Sequence, residues 1–148
     1  TGLAALVAFN LHDFTDGLAI GSAMISSHGI GIMVFLAVLV HEIPAGFTIA
    51  SIMRGAGKSR KASVLSGLSI GLITLVGITL PFLLGSVNSF TTDLFLALAT
   101  GTFIYVGASI LIPTAETGGY RWSFLYVALG FVLFYISTLI LGLFLEIH

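Results

Sequence analysis

Apolar residues run through this chain in long unbroken stretches, neither alternating nor confined to one stripe. Stretches free of Asp, Glu, Lys and Arg extend over residues 17–41, 62–92, 94–115 and 122–145. Turn-forming and charged clusters punctuate them: Ser26-Ser27-His28-Gly29, the run from Gly55 to Lys61, the run from Asn88 to Asp93, and the run from Glu116 to Arg121. This pattern predicts five helices, roughly 2–27, 30–54, 62–87, 92–114 and 121–146. Each is long enough for the ~20 residues that cross a bilayer. Strands of a membrane barrel would be short and alternating, and these runs are not. The expected fold class is all-α, a polytopic membrane helical bundle of five transmembrane helices in one transmembrane domain over residues 1–148.

Composition agrees. Of 148 residues, 57% are apolar and 7% charged, with a mean hydropathy of +1.17. A soluble domain of this size cannot hide so many apolar side chains. Disordered, coiled-coil and nucleic-acid-binding chains need charge that is absent here. Cysteine is also absent, which removes disulfides and thiolate metal sites. Eighteen glycines, several spaced by four as in Gly17/Gly21 and Gly67/Gly71, read as close helix packing. The chain begins with Thr1 inside an apolar run and shows no signal peptide, so an upstream part is expected.

The placement of the few charges carries more than their number. Arg54, Lys58, Arg60 and Lys61 lie between the second and third spans, and Arg121 between the fourth and fifth. These two loops are two crossings apart, so all five bases fall on one side, which the positive-inside rule makes cytoplasmic. Asp93, Glu146 and His148 then face the other side. Tyr120, Trp122 and Tyr126 read as interfacial anchors, Glu116 as interfacial, and His28 and His148 as membrane-edge residues without a special role.

Three acids are out of place in a membrane. Asp13 and Asp16, with His12, sit near the centre of the first span, and Glu42, with His41, near the centre of the second. A carboxylate at that depth is costly and marks a functional site by default. Every Lys and Arg has been placed in a loop or at its edge, so the partner has to be a proton, water, backbone dipoles or a cation. On a helix His12, Asp16 and Asp13 stand at about 0°, 40° and 100°, and His41 and Glu42 at about 0° and 100°. Two imidazoles and three carboxylates on similar arcs form a candidate divalent-metal site, and the mixed nitrogen and oxygen set suits Zn, Fe or Mn better than Ca or Mg.

The two segments also resemble each other at an offset of 29 residues, with His12, Asp13, Gly17, Ile20, Ser22 and Met24 matching His41, Glu42, Gly46, Ile49, Ser51 and Met53. Sequential spans run in opposite directions, so this is an inverted pair, a recurring way to build midplane transport sites. Pro44 cannot donate to the Val40 carbonyl beside the site and should bend the helix there. At the matching position of the first span, the Thr15 hydroxyl is expected to bond back to the preceding turn.

These motifs resemble the ZIP family of zinc/iron permeases. The run from His12 to Gly17 is similar to the family's fourth-span motif, His41-Glu42-Ile43-Pro44 to the start of its fifth, and the run from Gly101 to Val106, with Pro113, to its seventh. The resemblance implies an eight-span fold of which this chain corresponds to spans four to eight, and transport of a divalent metal into the cytoplasm. It implies one metal position at His12, Asp16 and His41 and a second at Asp13, Asp16 and Glu42, with Asp16 bridging. Ala45 and Ile70 stand where the family often has further ligands, which implies one well-formed site and a weaker second one. The expected substrate is Zn2+, with Fe2+, Mn2+ or Cd2+ as alternatives, and the expected partners are that ion and the lipid bilayer, not nucleic acid. A homodimer is left open, and the expected location is the cell membrane.

Two other classes stay open on the residues alone. An intramembrane metal-dependent hydrolase of the His-Glu-x-x-His kind is excluded by Ala45, but other metal-binding arrangements are not. A proton or sodium pathway would use the three carboxylates and give the paired histidines no role.

Overall fold

In the computed structural model, which describes residues 2–85, 87–113 and 123–146, four long helices follow one another from the start of the chain. They are α1 (Gly2–Ser26), α2 (His28–Gly55), α3 (Arg60–Leu84) and α4 (Ser89–Val106), and a π-helical turn (Gly107–Leu111) continues α4. A fifth helix, α5, covers Ser123–Glu146. Helices α1, α2 and α3, and the segment Ser89–Leu111, are long and apolar enough to cross a membrane. Glu116, Tyr120, Arg121, Trp122 and His148 lie outside the described residues, as do the side chains of Tyr126 and Glu146.

The helix ends have local causes. Ser27 alone separates α1 from α2, in extended conformation with φ −160°. The Ser59 hydroxyl caps α3 by accepting from the Ala62 amide at 3.2 Å, and Gly85 ends it in the left-handed region at φ 76°. The Asn88 side chain caps α4 through the Thr91 amide at 2.8 Å. Helix α2 runs on through Pro44, and the Thr15 hydroxyl donates to the His12 carbonyl at 2.7 Å.

Residues up to Val106 form one unit and residues from Gly107 another. In the first unit α1 is central and packs on α2, α3 and α4, while α2 also packs on α3. Solvation is inverted relative to a water-soluble protein. Asp13, Ser22 and His12 are buried in α1, whereas Phe47 is 74% and Leu83 80% exposed, as suits a surface facing lipid. Without a hydrophobic drive between helices, association rests on close packing. Gly17 of α1 and Gly77 of α3 supply it: a Cβ built on Gly17 would lie 2.7 Å from the Gly77 Cα and 2.8 Å from the Ile78 nitrogen. This contact fixes the height of α1 against α3 and with it the depth of the polar residues one turn earlier.

Candidate metal centre

Helix α1 brings His12 and Asp16 onto one face, one turn apart, and α2 crosses it with His41. Each of these three residues offers a ligand atom, and the three atoms lie within 4.8 Å of one another. The Asp16 carboxylate stands between the rings, with Oδ1 3.4 Å from His12 Nδ1 and Oδ2 3.0 Å from His41 Nε2. The rings lie nearly parallel, their centroids 5.6 Å apart and planes inclined by 18°. His41 Nδ1 is 3.2 Å from the Ala37 carbonyl, which can only accept, so that nitrogen carries the proton and Nε2 is the one turned to Asp16. This backbone contact fixes the orientation of the His41 ring, as such contacts do for imidazoles that hold a metal. His12 and Asp16 are buried, and the His41 side chain is 20% exposed.

Asp13 and Glu42 fall outside this group. Asp13 is fully buried, and neither of its carboxylate oxygens has a hydrogen-bond partner among the described residues. Glu42 accepts from the Thr74 hydroxyl of α3 at 2.9 Å through Oε1, while Oε2 has no partner among the described residues. Both acids lie within electrostatic reach of Asp16. Glu42 and Thr74 border a cavity of about 460 Å³ between α2 and α3, otherwise lined by apolar residues such as Phe35 and Leu72. Burying a carboxylate with neither oxygen partnered, as at Asp13, opposes folding. Replacing Asp13 by asparagine is therefore expected to stabilise the metal-free protein by about 1–2 kcal/mol. In a thermal melt this would raise the midpoint by about 2–8 °C for a chain of this size; an unchanged or lower midpoint would show that the carboxylate is not strained in the absence of metal.

Three neighbours were given no place at the site by the sequence, although Thr102 and Phe103 lie in the run from Gly101 to Val106 noted above. Thr74 serves Glu42 as above. On α4, the Thr102 hydroxyl lies 3.2 Å from His12 Nδ1 and 2.9 Å from the Thr15 hydroxyl. Beside it, the Phe103 ring touches both imidazoles, with centroids 5.4 Å from His12 and 5.3 Å from His41. A threonine or phenylalanine in an apolar span carries no signal of its own, because both serve equally well in ordinary helix packing.

The donor set is two imidazoles and one carboxylate, with His12 and Asp16 buried and His41 partly so, and no Lys or Arg among them. It is a borderline nitrogen and oxygen environment that fits a first-row divalent ion such as zinc, and it lacks the all-oxygen shell that calcium or magnesium would favour.

Known proteins resemble this chain in sequence. An uncharacterized protein of Methanocaldococcus jannaschii is 31% identical over 86% of this chain and 51% of its own length. The zinc transporter foi of Drosophila melanogaster is 34% identical over 70% of this chain and 14% of its own. The human zinc transporter ZIP4 is also 34% identical over 70% of this chain, and 16% of its own. The chain thus spans about half the length of the first relative and a smaller part of the others. No solved structure matches the chain. The family model described as ZIP zinc transporter matches residues 1–138, and this multi-pass, all-α membrane protein belongs to that family.

Proposed function

We propose that this chain forms the metal-conducting part of a carrier that moves a divalent transition-metal ion, zinc foremost, across the membrane into the cytoplasm. The observation that carries the reading is the convergence of His12, Asp16 and His41 from two helices within 4.8 Å, in the apolar part of the bundle, with no basic side chain among them. Relatives named as zinc transporters support zinc as the cargo. The family is one of transporters, and no catalytic role is assigned.

The ligands have to be free of protons before they can hold a metal, so metal binding releases protons. The proton that joins His41 Nε2 to Asp16 is the one a metal would displace. Asp13 and Glu42 form a second, weaker acidic position beside the first, able to receive the ion as it leaves Asp16. The bases at Arg54, Lys58, Arg60 and Lys61 lie at the end of α2, in the loop after it and at the start of α3. Their position supports a cytoplasmic loop there, and transport into the cytoplasm is what the resemblance to the family implies. A cell-membrane location follows the same reading.

Radioactive zinc uptake into vesicles containing the protein tests the function. Uptake is expected to saturate with zinc and to fall to background for His41→Ala. Uptake of the His41→Ala variant at the unaltered rate would refute the role given to this site. Zinc affinity measured by calorimetry is further expected to weaken as pH falls from 8 to about 5.5, because protons compete for imidazole and carboxylate donors. An affinity independent of pH over that range would exclude these ligands.

A further inference from the structure

His12, Asp16 and His41 give three donors, one fewer than the four that zinc takes in a closed tetrahedral site. Ligand atoms bonded at about 2.0–2.1 Å to a tetrahedral ion stand about 3.3 Å from one another. The two Asp16 oxygens already stand at about this distance from the imidazoles, Oδ1 3.4 Å from His12 Nδ1 and Oδ2 3.0 Å from His41 Nε2. One more oxygen stands at an edge distance: Thr102 Oγ1, 3.2 Å from the same His12 Nδ1. It comes from α4, which supplies none of the other donors. Building on the assignment of His12, Asp16 and His41 as metal ligands, we propose that the Thr102 hydroxyl completes the site as its fourth donor.

The hydrogen bonding prepares the oxygen for that role. Thr102 Oγ1 has two backbone acceptors for its single proton, the Leu98 and Ala99 carbonyls, both at 3.0 Å. With the proton held there, the oxygen lone pairs are free to face Thr15 and His12. The Thr15 hydroxyl lies 2.9 Å from Thr102 Oγ1 and 2.7 Å from the His12 carbonyl, and its single proton can be given to either oxygen, so Thr15 links His12 and Thr102 across α1 and α4. Without metal the His12 to Thr102 contact is an Nδ1–H donating to Oγ1. For Nδ1 to take the ion, the single proton of the neutral imidazole moves to Nε2, and the ion stands between Nδ1 and Oγ1 in its place.

The fourth donor is neutral, so the ion is balanced by the charge of Asp16 alone. A site of that charge holds its ion less firmly than one with two carboxylates, which suits a cargo that has to be released. A hydroxyl oxygen also leaves the site without a soft donor and keeps its preference toward zinc, iron or manganese.

The chain contains no cysteine, so a thiol placed at this position reports without background. The Thr102→Cys variant, titrated with Cd2+ in detergent, is expected to develop the ultraviolet charge-transfer absorption of a thiolate bound to cadmium, at one ion per chain. The Thr102→Val variant is expected to bind Zn2+ at least about 10-fold more weakly than the unaltered protein, and Thr102→Ser to restore the affinity. Cadmium bound by Thr102→Cys without the absorption band would overturn the proposal, because Thr102 would then lie outside the coordination sphere. So would unweakened zinc binding by Thr102→Val. If the unaltered protein bound neither ion, the three-residue site itself would be refuted, and the unaltered control separates that result from a failure of Thr102 alone.

Discussion

Replacing Asp16 by asparagine is expected to abolish zinc binding while leaving the bundle folded. Asp16 supplies the only carboxylate of the group and touches both imidazoles, at 3.4 and 3.0 Å. Asparagine keeps its size and can still hydrogen-bond to a neutral imidazole, but it has no charge to offset a divalent ion. Loss of an outer-shell partner weakens metal binding by about 10–100-fold, and a direct anionic ligand is expected to exceed the upper end of that range. Breaking a buried ion pair destabilises a protein by about 3–5 kcal/mol when a charge is left stranded. Here the histidines can stand neutral, so no charge is stranded and the metal-free melting temperature should move by no more than a few degrees. Calorimetric titration with zinc and a thermal melt of the same sample check both halves. Zinc affinity within 10-fold of the unaltered protein would remove Asp16 from the site. A collapse of the melting temperature would make its role structural.

Replacing Gly17 by valine is expected to have the largest effect on stability. Even a single Cβ at this position would meet the Thr74 carbonyl and come within 2.7–2.8 Å of the Gly77 Cα and the Ile78 nitrogen. These are backbone atoms of α3, so no rotamer change can make room and the helices have to part. Overpacking costs about 1–3 kcal/mol where side chains can adjust, and this contact lies beyond that range. A loss above about 3 kcal/mol would lower the melting temperature by roughly 10 °C. Separation of α1 from α3 would also shift Asp13 and Asp16, so zinc affinity should fall although no ligand is altered. Gly55→Ala provides the control, since its Cβ would meet nothing within 4 Å, and it should melt at or above the unaltered temperature. Equal melting of the Gly17 variant and the control would mean that α1 and α3 do not pack as described.

The membrane class and the all-helical fold were legible because lipid imposes a simple rule: residues 62–84 have to be apolar almost throughout to cross it, and no soluble fold would spend them so. His12, Asp13, Asp16, His41 and Glu42 stood out for the converse reason, since polar groups at that depth are rare. Their division was not legible. Angles on a helical wheel put Asp13 only about 60° from Asp16, and only the packed helices show Asp13 buried without a partner among the described residues while Asp16 meets the imidazoles of α1 and α2. Thr102 and Phe103 were hidden by distance along the chain. They meet His12 across about 90 residues, and no local pattern encodes which face of α4 turns toward α1.

The one-residue link at Ser27 has a consequence for which lengths of chain the protein can accept. His12 lies 15 residues before Ser27 and His41 14 residues after it. At 1.5 Å per residue both imidazoles therefore sit about 21–23 Å from the bend. The hairpin works as a pair of matched arms, and the Met24 backbone pressed against Gly31 leaves no slack at its base. Adding or removing a single residue in either arm would turn one partner by about 100° and shift it by 1.5 Å, so that His41 would no longer meet Asp16. The Gly57 connection between α2 and α3 has open space around it and could absorb such a change. Among homologues that keep this chemistry, the spacing from Asp16 to His41 should be held fixed, and length variation should gather in the α2–α3 loop.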